Sequence, residues 1–129
     1  MPKHLKKLTC GLILVFLIAA CEGIAQADAQ PVTIKGYVLD SACAFTKALK
    51  KPISSECAVA CAKAGSPLVI LTEAGTIYWP IDNATPASGQ NEKLLPFAGQ
   101  KVTATGRVFE RGGSHALVID KVVSLSSSK

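Results

Sequence analysis

The spacing of apolar and polar residues divides the chain into four stretches: 1–20, 21–31, 32–123 and 124–129. Gly11-Leu-Ile-Leu-Val-Phe-Leu-Ile-Ala-Ala20 is continuously apolar and follows Lys3, Lys6 and Lys7. Glu22 to Pro31 is small and mostly polar. From Val32 the pattern becomes alternating: Val32, Ile34 and Val38 share one face of 32–39, which predicts a half-buried strand. Leu68–Thr72 and Thr76–Trp79 flank Glu73-Ala74-Gly75 and predict a hairpin. Lys101–Glu110 alternates through Val102, Ala104 and Val108, and Arg111-Gly-Gly-Ser114 turns it into a last strand, His115–Val123. Asp40–Pro52 reads as a connection and Asp82–Glu92 as a polar loop. Between the first two strands, Ser54 or Ser55 caps a helix from Glu56 to Ala64, with Gly65 as its left-handed terminator.

Five strands and one short helix make the domain mainly β. Gly36 and Gly106 fall in mid-strand, where glycine weakens pairing but lets a strand bend at a barrel corner. Closure removes exposed strand edges. The expected fold is therefore a small five-stranded OB-like antiparallel barrel over residues 32–123, with the helix between strands 1 and 2. An open antiparallel sheet with the helix across one face is the alternative. Residues 124–129 read as a frayed tail.

The basic, then apolar, N-terminus reads as an export signal over residues 1–20, too short an apolar run for a spanning helix. Ile18-Ala19-Ala20-Cys21 resembles the bacterial lipobox, which makes Cys21 the lipidation site and residues 21–31 a tether. Ala25-Gln26-Ala27 offers ordinary cleavage instead, leaving a soluble periplasmic domain. Either way the domain is placed outside the cytoplasm, in the cell envelope; with Glu22 following the cysteine, outer-membrane retention is expected. The formal charge of +5 owes three positive charges to the leader lysines. No basic stripe remains beyond the Lys47, Lys50, Lys51 cluster, which reads as a solvated loop, so nucleic acid is not expected as a partner.

Cys10 lies in the leader and Cys21 at its border, leaving Cys43, Cys57 and Cys61 in the domain. Cys57 and Cys61, at i and i+4, leave one helix face with nearly parallel Cβ vectors, which is poor geometry for a mutual bond. Cys43 is the better disulfide partner for either. Closing the Cys43–Cys57 loop would contribute about 3 kcal/mol by the chain-entropy argument. Export compartments favour such a bond. Three thiolates also suit Zn²⁺ or Cu⁺, with Asp40 or His115 as poor candidates for a fourth ligand. Thiol redox work is the third reading, with Cys57 near the helix start.

The order Gly36-Tyr-Val-Leu-Asp40-Ser-Ala-Cys43, then Cys57-x-x-x-Cys61-x-x-x-Gly65, then Gly75-Thr-Ile-Tyr78, then Phe97-Ala-Gly-Gln-Lys-Val-Thr-Ala-Thr-Gly106, resembles a family of small exported bacterial domains with no assigned function. The resemblance spans nearly all of 32–123 and implies an OB-like barrel in an exported protein. Members of that family often carry a histidine just after the first cysteine. Ala44, Phe45, Thr46 and Lys47 follow Cys43 here, so a Cys₃His set is missing and the disulfide is favoured over zinc. No cofactor is expected.

No nucleophile elbow, P-loop or dinucleotide fingerprint occurs. Asp40, Glu56, Asp82 and Asp120 show no acid–base pairing by spacing, and His115 reads as a surface strand residue. An enzyme is not expected. Tyr37, Tyr78, Trp79 and Phe109 instead form the candidate binding surface, because OB-like barrels take ligands on one sheet face by stacking on such rings. The partner expected is an envelope protein or a glycan, with the membrane reached through the lipid anchor.

Overall fold

The computed structural model describes residues 30–50 and 53–125 of the 129-residue chain. The leader, Cys10, Cys21 and most of the tether lie outside the described residues, as do Lys51, Pro52 and residues 126–129. The elements run β1 (Val32–Asp40), α1 (Ser41–Thr46), α2 (Ser55–Lys63), β2 (Leu68–Leu71), β3 (Ile77–Pro80), α3 (Asn91–Leu94), a 3-10 turn (Leu95–Phe97), β4 (Lys101–Arg111) and β5 (Ser114–Ser124). No helix among the described residues is long and apolar enough to cross a membrane.

The strands close into a barrel in the order β1-β2-β3-β5-β4. Four seams are antiparallel, but β3 runs parallel to β5, with Tyr78 opposite His115, Trp79 opposite Ala116 and Pro80 opposite Leu117. The expectation of an antiparallel barrel is corrected at this seam for a topological reason. A closed ring with an odd number of strands cannot alternate direction all the way round, so one neighbour pair must be parallel.

Alternation sorts each strand to an inside and an outside. Ile34, Val38, Leu68, Ile70, Val102, Ala104, Leu117 and Ile119 fill the barrel, and Leu94 from α3 and Ala62 from α2 join them. A second apolar layer lies outside: Leu39, Val69 and Leu71 pack against Ala44 of α1, with Leu49 and Ile53 beside them. All four residues of β2 are therefore buried. That accounts for its unbroken Leu-Val-Ile-Leu sequence, which has no solvent face to require a polar residue.

Helix α2 starts and stops on its sequence signals. Ser54 Oγ accepts the Cys57 N–H at 3.2 Å. At the far end Gly65, at φ +99°, lets its own N–H reach Ala62 O and the Ser66 N–H reach Cys61 O, each at 3.0 Å. These two bonds form a Schellman closure.

Two elements went unanticipated. The segment read as a connection after β1 holds α1, and the polar loop after β3 ends in α3. Helix α3 has a joining role: Asn91 Oδ1 accepts the Leu68 N–H and Asn91 Nδ2 donates to Ser66 O, both at 2.8 Å. Asn91→Ala is expected to cost about 1–3 kcal/mol in urea denaturation, because it strands the amide of a buried residue. A cost under about 0.5 kcal/mol, the range of ordinary surface changes, would show that α3 does not brace β2.

Candidate functional site

Two places collect the chemically distinctive side chains. The first is the junction of β1, α1 and α2. Asp40, only 2 % exposed, ends β1 and caps α1, its Oδ2 accepting the Cys43 N–H at 3.1 Å. The Cys43 thiol also hydrogen-bonds to this carboxylate, and that bond, with burial and the carboxylate charge, pushes the thiol from 9.0 up to about 11. Cys61 is pushed up as well, by burial first and then by the Asp40 charge and hydrogen bonds to Cys57 and Asp40. Cys43 and Cys57 line one cavity of about 310 Å³, walled by Leu39, Ala48, Ile53 and Ala58, with Asp40, Lys47 and Ser54 as its polar lining.

Asp40, considered in the sequence as a fourth metal ligand, thus supplies a helix cap and an acceptor for thiol protons. Cys43, Cys57 and Cys61 are free thiols in this structure. Among the described residues, no group of three or more His, Cys, Asp or Glu side chains is arranged to hold a metal ion. Free thiols placed this way can exchange bonds with other sulfurs.

The second place is a groove of about 430 Å³ between α1, the β2–β3 turn and the β4–β5 turn. Phe45 of α1 and Trp79 of β3 face each other with ring centroids 6.1 Å apart and planes tilted by 37°. Phe45 is 65 % exposed although wholly apolar. Gly75, Thr76 and Ile77 make the floor on one side, and Gly113, Ser114 and His115 make the other wall. His115 is fixed by its Nδ1 contact with Glu110 Oε1 at 3.0 Å and by ring packing on Tyr78 at 5.4 Å.

The four aromatics singled out in the sequence do not share one surface. Trp79 lines the groove and, like Tyr37, packs against the outer apolar layer. Tyr78 packs against the barrel core, opposite Ile70. Tyr37 packs against the outer apolar layer with the Lys101 ammonium 5.6 Å above its ring, and Lys101 in turn pairs with Glu73. Phe109 is 46 % exposed on β4. Phe45 and His115, which the sequence did not place with these aromatics, line the groove. Phe45 lay in a segment without periodicity, so nothing in the sequence placed it opposite Trp79.

The remaining acids have local partners or none that concern these sites. Asp82 accepts the Ala84 N–H at 3.0 Å and the Ser88 hydroxyl at 2.8 Å, bonds that hold its carboxyl below the usual range and shape its own loop. Lys47 and Lys50 are exposed, as a solvated segment requires. Comparison with protein-family models, with curated proteins and with solved structures finds no match to this chain.

Proposed function

We propose that this chain is an exported, lipid-anchored, non-enzymatic binding domain of the cell envelope, and that its ligand seat is the groove between Phe45, Trp79 and His115. The observation that carries this reading is Phe45. A phenyl ring left 65 % exposed, tilted over a tryptophan, is apolar surface open to solvent. The groove also opens where OB-like barrels take ligands, beside strands 2 and 3 and between the connections after strands 1 and 4. The ligand class is an envelope glycan or protein that inserts a ring or apolar group between the two aromatics. Export and anchoring rest on the leader and on Cys21, and the family resemblance on the cysteine pattern.

Trp79 is the only tryptophan in the chain, so its fluorescence reports directly on the groove. Titration with separated glycan and protein pools of the envelope is expected to give a saturable change with one pool. Phe45→Ala is expected to abolish that change while altering stability by no more than about 0.5 kcal/mol, as for other exposed positions. A change that survives Phe45→Ala, or a silent Trp79 with both pools, would remove the groove as the seat.

A further inference from the structure

The cysteine junction is separate from the groove and carries chemistry that ligand binding does not use. Three cysteines from two helices lie at this junction, and their surroundings differ. Cys57 is exposed and opens onto the cavity. Cys43 faces the same cavity from α1, three residues past the buried Asp40 carboxylate that accepts its backbone N–H. Cys61 lies one turn further along α2, half-buried and outside the cavity lining.

We propose that Cys57 and Cys43 form a thiol–disulfide exchange site, with Cys57 attacking a small-molecule or protein disulfide and Cys43 resolving the mixed disulfide. In the first step the Cys57 sulfur bonds to one sulfur of R–S–S–R, the S–S bond breaks, and one R–SH leaves with the Cys57 proton. In the second step the Cys43 sulfur attacks Cys57 and expels the other R–SH, its proton passing to the leaving sulfur with the neighbouring Asp40 carboxylate as carrier. Two electrons move from the protein sulfurs to R–S–S–R, which becomes two R–SH. The product is a Cys43–Cys57 disulfide that ties α1 to α2, with Cys61 left as a thiol.

The pairing follows from geometry. Cys57 and Cys61 lie on one face of a regular helix with side chains running in parallel, and an S–S bond needs Cβ atoms turned toward each other. Cys43 and Cys57 approach a shared space from different elements. Asp40 keeps the resolving sulfur protonated until a mixed disulfide is presented beside it. Cys57, with the open approach, therefore reacts first.

The test uses the full chain in detergent, with Cys10→Ser and Cys21→Ser so that only the three domain thiols remain. The reduced protein is mixed with dithiobis-nitrobenzoate, a chromogenic aromatic disulfide. Release of chromophore is followed by stopped flow, and the product is mapped by mass spectrometry after alkylation. The expected result is two successive releases, a Cys43–Cys57 crosslink and an alkylated Cys61. Cys43→Ser is expected to stop at the Cys57 mixed disulfide, and Cys57→Ser to slow the first release by at least about 10-fold. A crosslink that includes Cys61, or mixed disulfides on all three sulfurs with no crosslink, overturns the assignment. The mapping needs no variant among the three domain thiols, so a cysteine variant that failed to fold would leave the decisive result intact.

Discussion

Gly106→Ala is expected to destabilise the domain by about 3 kcal/mol, at the upper end of the usual cost of forcing extra atoms into a packed site. A Cβ at this position would lie 2.1 Å from Val118 O, 3.0 Å from Val118 C and 3.1 Å from Leu117 Cδ1. The first two obstacles are backbone of the neighbouring strand, which cannot swing aside as a side chain would. Position 106 is also where the β4–β5 register shifts. Relief requires the longest seam of the barrel to open. For a domain of this size the loss amounts to roughly 15 °C in Tm. Gly89→Ala is the control: it is exposed, meets nothing within 4 Å and should stay within about 0.5 kcal/mol of wild type. Equal urea midpoints for the two variants would refute the close approach.

Asp40→Asn is expected to move the pH profile of Cys43 alkylation down from its inflection near 11 toward the ordinary 9.0. Asparagine caps helices as well as aspartate does, so α1 should survive the change. The negative charge and a strong acceptor for the thiol proton both disappear. Below both values the thiolate fraction rises by up to about 100-fold, since each unit of acidity is a factor of ten. The less basic thiolate is also a weaker nucleophile, which leaves a net gain near 10-fold in the rate at pH 8. Iodoacetamide labelling resolved by peptide mapping measures it. An unmoved inflection would mean that Asp40 does not govern this sulfur.

The same shift predicts an alkaline limit for the reduced protein. Folding raises the pKa of Cys43 above its unfolded value, so the folded state favours the protonated thiol. That contribution is complete below about pH 9 and is lost as the pH rises through about 11. In Asp40→Asn the stability curve should be flatter over this window. Oxidation of Cys43 would abolish the effect, because a disulfide sulfur has no proton to lose.

Much of the barrel was legible residue by residue. Val102 and Ala104 alternate with polar neighbours, and both are fully buried. Gly36 and Gly106 read as bend positions in mid-strand, and the structure adds that backbone of a neighbouring strand lies close against both. Helix α2 was bounded by Ser54 and Gly65 because capping depends on residue type within one turn. Helix α1 was not seen, although Asp40 three residues before Cys43 is a capping pattern. Six residues are too few for a 3.6-residue period to stand out against a loop.

The sequence by itself determined the strands, the helix ends, the glycine bends and the placing of Cys57 and Cys61 on one helix face. Each depends on residues within a few positions of one another, so local backbone preference and alternation suffice. Only the tertiary structure decided that β3 meets β5 in parallel and that Asp40 lies beneath the thiols. It alone turned Tyr78 to the barrel core, away from Tyr37 and Trp79 on the outer layer, and set Phe45 opposite the Trp79 ring. Phe45 and Trp79 are 34 positions apart and belong to elements that meet because β2 is covered on its outer face by α1. Contacts of that kind are set by how buried faces stack after the barrel closes, and no local period in the chain encodes them.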